Sequence, residues 1–310
     1  MVKFIIKRLL WLIPICLGVS LIIFAIMDLS PGDPARLLLG ESATEEAVEQ
    51  LREELGLNEP FFSRYFDWVS GVFTGDFGIS YRTRQPVFDE VIARFPRTVK
   101  LALLTSVISV VLSIPMGVIS AVRRYSATDN ILLTLNLILT SAPAFLIGLI
   151  FILLFSLKLG WFPATGIETW KHFVLPATAA ALNYSAALQR MTRSSMLETI
   201  RSDYIRTAKA KGAKEFRVIM KHAMGNAILP VITLIGINFG WQLGGTIIIE
   251  QLFAIPGIGT LLITSVNFKD APQVMASSVF VAILAALINL LVDILYAAID
   301  PRVKSQFYGS

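Results

Sequence analysis

Apolar residues in this chain gather into long runs and do not alternate at strand spacing. A helix crossing a bilayer needs about 20 mainly apolar residues. Six windows meet or approach that length: Leu9 to Asp28, Thr98 to Ala121, Ile131 to Leu157, His172 to Leu188, Ile228 to Ile249 and Ala276 to Ile299. The fourth is the weakest, being short, alanine-rich and interrupted by Asn183, Tyr184 and Ser185. Between the first two windows lies a polar stretch in which SATEEAVEQLREELG reads as a helix, with Ser42 and Glu45 at capping-box spacing and Gly56 as the stop. The aromatic segment FFSRYFDWVSGVF follows, and its amphipathic rings suit the water–lipid boundary. Both helices would serve as cover and offer a surface to a partner outside the membrane.

Composition agrees with a bilayer protein. Of 310 residues, 55 % are hydrophobic and 16 % charged, and the mean hydropathy is +0.68. The net charge of +5 could suggest nucleic acid, but the positions of the charges speak for membrane orientation instead. Lys3, Lys7 and Arg8 precede the first window, Arg123 and Arg124 sit between the second and third, and Arg302 and Lys304 follow the sixth. The segment after the fourth window carries Arg190, Arg193, Arg201, Arg206, Lys209, Lys211, Lys214, Arg217 and Lys221 against Glu198, Asp203 and Glu215. Short basic loops stay in the cytoplasm, so six spans place all these segments, and both termini, on that side. Leu29 to Arg97, with twelve carboxylates and seven arginines, falls outside. The first run exceeds a signal-peptide core and no small-x-small site precedes SPGDPA, so it is read as an uncleaved anchor. Three regions result: 1–28 as anchor and first span, 29–97 as a helical extracytoplasmic insertion, and 98–310 as a core of five spans with a cytoplasmic loop at 190–227.

Several chemistries have no residues to carry them. No G-x-x-x-x-G-K-[ST] loop, H-E-x-x-H or G-x-S-x-G occurs. The single cysteine, Cys16, lies in the first apolar run and reads as filler, and His172 and His222 are given no chemistry. No catalytic residue, metal site or bound cofactor is expected. Glu250 and Asp293 are the carboxylates within the spans, both towards span ends, where snorkelling or a local hydrogen bond accounts for them.

The segment RTAKAKGAKEFRVIMKHAMGNAILP, Arg206 to Pro230, is too helix-prone for a floppy linker. After Ala213, the residues Phe216, Ile219, Met220 and Ala223 recur at i, i+3, i+4 and i+7, opposite Lys214, Arg217 and Lys221. This spacing predicts a short amphipathic helix, with Gly212 allowing a sharp turn before it. Its apolar face has three possible destinations: the lipid surface, the chain's own spans, or a groove on another protein.

Tyr204 to Gly212 reads YIRTAKAKG, which resembles the cytoplasmic E-A-A-x-x-x-G element of ABC importer permeases in the form used by the peptide branch. Arg206, Thr207 and Ala208 replace the usual Glu-Ala-Ala, and His222 to Gly225 stand where many such permeases have I-x-L-P. PGDPA at Pro31 to Ala35, GDFGIS at Gly75 to Ser80, RMTRSSMLE at Arg190 to Glu198, E-x-x-F-x-x-P-G-x-G from Glu250 to Gly259, and NLLVDILY with DPR from Asn289 to Arg302 are similar to the first permease subunit of dipeptide and oligopeptide importers, in family order.

The resemblance implies an all-α, six-span type I ABC importer permease in a bacterial inner membrane. Its partners would be a homologous second permease, two cytoplasmic ATPases holding ATP and Mg, an extracytoplasmic solute-binding protein and a peptide substrate, with nickel and glutathione as alternative cargoes. The segment after Gly212 would then couple to the ATPases, with Phe216, Ile219 and Met220 docking and Lys214 and Arg217 steering. Candidate path residues are Asn136, Ser141, Asn183, Gln189, Asn238, Gln242 and Asn289. Rival classes are an ion-coupled secondary transporter and a membrane anchor for a cytoplasmic partner.

Overall fold

A computed structural model of the chain describes residues 2–299, with side chains described from Ile5 to Ile294 except at position 245. Arg302, Lys304 and the DPR motif lie outside the described residues. Apart from one isolated bridge between Ile79 and Pro86, the described regular structure is helical. The chain divides into two compact units, Met1–Val99 with Pro256–Leu287, and Lys100–Ile255 with the chain from Ile288.

In the first unit, the apolar run near the N-terminus forms α1, Val2–Leu29. Asp33 caps α2, Pro34–Leu39, by accepting from the Ala35 amide at 3.1 Å. The helix expected from SATEEAVEQLREELG is α3, Glu45–Glu54, but its cap is Thr44, whose hydroxyl accepts from the Ala47 amide. The cap therefore sits two residues beyond Ser42, and Glu45 and Glu46 occupy the first turn, where carboxylates offset the helix dipole. Gly56 follows with φ of 66°, as a stop requires.

The aromatic segment is α4, Phe61–Thr74, and its rings divide between two faces. Phe61, Tyr65, Trp68 and Val69 pack with Ile23, Phe24 and Met275, and Tyr65 Oη donates to the Leu17 carbonyl at 2.9 Å. Phe62, Phe66 and Phe73 point outward. Half of the expected interfacial rings thus fix α4 to α1. The start of α5, Val87–Val122, and α13, Ile258–Asn267, close this unit through Val87, Val91, Ile258, Leu261 and Ala276.

In the second unit, the window expected as one span over Ile131 to Leu157 is two helices, α6, Ala127–Ser141, and α7, Ala144–Phe151, bent by 98°. Pro143 supplies the reason. It cannot donate, and it pushes Ala142 out of the helical region to φ −83°, ψ 124°. Asn183 Nδ2 then donates to the freed carbonyls of Leu139 and Ala142, at 3.3 and 3.1 Å, as a helix break in hydrocarbon demands. A π-helical stretch, Ile152–Lys158, continues α7.

The weak fourth window belongs to α8, Val174–Ile200, which continues well past Leu188. It packs against α6 and α7, against α11, Met224–Gly245, and against α12, Ile247–Leu252. Its alanines 177, 179, 180, 181 and 186 are buried. A helix surrounded by protein needs small residues for close approach more than lipid-facing bulk, which explains its low hydropathy. The last helix is α14, Ala271–Ile299. Among the described residues four helices are long and apolar enough to cross a membrane, or five if the bent pair is one span.

Candidate functional site

The basic segment after α8 folds into two short pieces around a glycine turn. Arg201 and Ser202 close α8, and α9 spans Asp203–Ala210. At Gly212 φ is 78°, and an added Cβ would meet nothing within 4 Å, so the backbone conformation, not crowding, asks for glycine. The Gly212 amide donates to Lys209 and that of Ala213 to Ala208, satisfying the last carbonyls of α9.

Beyond the turn the structure departs from the expected separate helix. One α-helical turn, α10 at Glu215–Arg217, passes through a π-helical stretch, Val218–Ala223, directly into α11, so that Glu215–Gly244 is one continuous rod. An i→i+5 turn holds an extra residue and shifts the register after it. The predicted stripe therefore divides. Ile219 and Ala223 turn into a core with Ala121, Met196, Ile205, Val218 and Ala227, whereas Phe216 is 77 % exposed and Met220 is 47 % exposed. Lys214 and Arg217 are exposed beside Phe216. Ile205 and Val218, fully buried on either side of Gly212, are the anchors that helical periodicity missed. Their β-branched apolar side chains in an otherwise basic stretch were the signal available.

One polar contact ties this segment together, and a second braces the helices beside it. Asn226 Nδ2 donates to Tyr204 Oη at 2.7 Å, joining α9 to α11. Deeper, Asp129 at the start of α6 is 1 % exposed and receives both Nε and a terminal nitrogen of Arg193 on α8, at 2.9 and 2.8 Å. Ser120 at the end of α5 donates to the same carboxylate, as does the Tyr125 amide. Arg193, read from sequence as one of many topology-setting charges, is the fork of a buried ion pair that joins α5, α6 and α8.

The path candidates separate by what their polar atoms do. Asn136 Nδ2 donates to the Ala186 carbonyl and to Gln189 Oε1, and Asn136 Oδ1 accepts from Arg190. Gln189 Nε2 donates to Leu132. These two, with Asn183 at the helix break, are committed to bonds between helices. Ser141 bonds back to Leu137 and is exposed, and Asn289 is exposed on α14. On α11, Gln242 Nε2 donates to Ser106 Oγ at 3.2 Å, while Gln242 Oε1 and Asn238 Nδ2 are buried without a hydrogen-bond partner among the described residues. One helical turn apart, they leave donor and acceptor capacity unspent. Snorkelling does not describe Glu250, which is fully buried with Thr246 Oγ1 3.5 Å from its carboxylate.

Residues 113–305 match the family described as binding-protein-dependent transport system inner membrane component, and residues 1–102 match its N-terminal family. The chain is 40 % identical over 304 residues to the glutathione transport system permease protein GsiC of Escherichia coli (strain K12), covering 98 % of this chain and 99 % of that one. The GsiC of Shigella boydii serotype 4 (strain Sb227) gives the same identity and coverage. Among solved structures, the MetNI methionine ABC transporter in an inward-facing conformation superimposes with a TM-score of 0.59 at 19 % identity, over 69 % of this chain and 98 % of that chain. An amino acid ABC transporter gives 0.53 at 16 % identity, over 68 % and 94 %.

Proposed function

From the premise that the chain belongs to the binding-protein-dependent transport family of inner-membrane components, and is therefore a permease subunit of an ABC importer, we propose that it carries short peptides and is driven through the segment around Gly212. Such permeases work with ATPase subunits, a substrate-binding protein and a second permease. The peptide class takes in glutathione, itself a tripeptide and the cargo named for the 40 %-identical relatives. In this reading α8 is the remaining span, giving six. The charge distribution then puts both termini and the Gly212 turn in the cytoplasm and residues 29–97 outside.

The observation that carries the coupling role is Phe216. A large apolar side chain, 77 % exposed between Lys214 and Arg217, stands on a segment that Ile205 and Val218 anchor to the bundle. An aromatic anchor with a basic rim suits a pocket on a protein partner. The continuous rod from Glu215 to Gly244 would pass a push at Phe216 directly into the span bearing Asn238 and Gln242. A partner biases a conformational equilibrium only by contacting the two states differently, so the nucleotide-driven change must act at this contact. Replacing Phe216 by Asp should abolish ATP-dependent peptide uptake and leave ATP hydrolysis insensitive to cargo, with insertion and unfolding temperature unchanged. Normal uptake by that variant would refute the docking role.

A further inference from the structure

The first unit carries an open pocket of about 490 Å³ lined by Asp28, Asp33, Arg52, Asn58, Arg64, Tyr81 and Lys269 together with apolar residues. Its size suits a small solute. Its charges do not balance internally. Arg64 is paired with Asp28 and Arg52 with Asp33, at 2.5 and 3.0 Å, which leaves Lys269 as the third cation. Asp33 also spends its other oxygen on the α2 cap.

Lys269 is 7 % exposed and adopts φ of 54°, a left-handed backbone that a residue with a Cβ rarely takes. This conformation accompanies a reach by its ammonium to the carbonyls of Ser30 and Gly32. Those bonds take two of its three protons and bring no compensating negative charge. Among the described residues no carboxylate is in ion-pair contact with it. Burial pushes its ammonium below the ordinary lysine value, with Asp28 and Asp33 pulling the other way. A buried cation without a counter-ion is unfavourable, and an anion in the cavity would relieve it.

Tyr81 supplies the second donor. Its amide is held by Asp270, but its hydroxyl has no partner among the described residues. Burial pushes its pKa up to about 12, so it stays a neutral donor. Asp28 lines the same cavity, and one of its carboxylate oxygens bonds Arg64 while the other has no hydrogen bond among the described residues.

We propose that this cavity receives the carboxylate of a short peptide, with Lys269 and Tyr81 donating to that group and Asp28 facing the amino end. The proposal rests on the peptide-cargo reading and on the outward placement of residues 29–97. Nothing beyond the zwitterionic ends is specified, which suits a subunit that receives cargo already selected by a binding protein.

The test uses the complete complex of permeases and ATPases in lipid nanodiscs, without nucleotide or binding protein, titrated with dialanine and with dialanine amide. A hydrogen bond to a charged group contributes about 1.5–3 kcal/mol, which corresponds to a tenfold or larger change in Kd. Free dialanine should bind at least about tenfold more tightly than the amide. Lys269→Met should erase that preference. Tyr81→Phe, which removes a hydroxyl with no protein partner, should weaken dialanine about tenfold while leaving the unfolding temperature unchanged.

Equal binding of acid and amide, or wild-type affinity in both variants, would overturn the proposal. So would variants that bind dialanine normally but lose affinity for the binding protein, since the cavity would then take a protein side chain. Proteoliposomes of the wild type and of both variants, supplied with the binding protein and ATP, separate the two readings. Failure to import any peptide defeats the cargo assignment, whereas import that is indifferent to Lys269 and Tyr81 defeats only the cavity.

Discussion

At the scale of single residues, charge does two different jobs in this chain. The lysines and arginines around Gly212, from Arg206 to Arg217, are exposed, and replacing any one of them should cost little stability. Arg193 is different. It forks onto a carboxylate that is 1 % exposed and already bonded by Ser120 and the Tyr125 amide. Removing one member of a buried pair strands the other and costs about 3–5 kcal/mol, more than removing both. In a double-mutant cycle, Arg193→Met should lower stability strongly, and Asp129→Asn combined with it should recover part of the loss. Thermal unfolding in detergent reads the coupling, and strict additivity would show that the pair contributes nothing. The sequence displayed both residues without their partnership, because an aspartate before the third window and an arginine beyond the fourth carry no mark of spatial proximity.

At the scale of elements, hydropathy placed the long apolar helices and misjudged their shapes. A proline inside a long apolar window signals a break, and Pro143 produced one. Pro14 and Pro230, by contrast, sit inside continuous helices. What distinguishes Pro143 is Asn183, which accepts the task of bonding the carbonyls that the break releases. Helix crossings were equally invisible. A Cβ at Gly236 would collide with the methyls of Val292, so α11 and α14 meet where glycine lets them. Gly236→Ala should destabilise the protein by about 1–3 kcal/mol through overpacking, and a second change, Val292→Ala, should restore most of that. Gly117 offers the contrasting case, because its added Cβ would lie 2.6 Å from Thr192 Cβ and 2.9 Å from the Gln189 carbonyl oxygen, and no side-chain trimming moves a backbone.

At the scale of the whole molecule, the peptide-import reading requires opposite faces for the two polar regions. Cargo would meet the region containing Lys269, and the nucleotide-driven push would arrive at Phe216. With Cys16 replaced by Ala, a cysteine introduced as Glu45→Cys should react with a membrane-impermeant maleimide in intact cells. One introduced as Phe216→Cys should react only after the membrane is opened. The reverse labelling would invert the assignment of both sites.

The amino-acid order alone settled that this is a multi-pass helical protein of the ABC importer permease class. Apolar run length and the motif series from PGDPA to NLLVDILY are one-dimensional properties, and a bilayer selects on run length directly. Tertiary structure alone decided which residues around Gly212 are held in the core and which stay exposed. Whether Ile219 or Phe216 faces inward depends on one π-helical register shift and on the core built by Ile205 and Val218. It likewise decided that no carboxylate among the described residues is in ion-pair contact with Lys269, since charge balance within a cavity is fixed by distances between residues far apart along the chain.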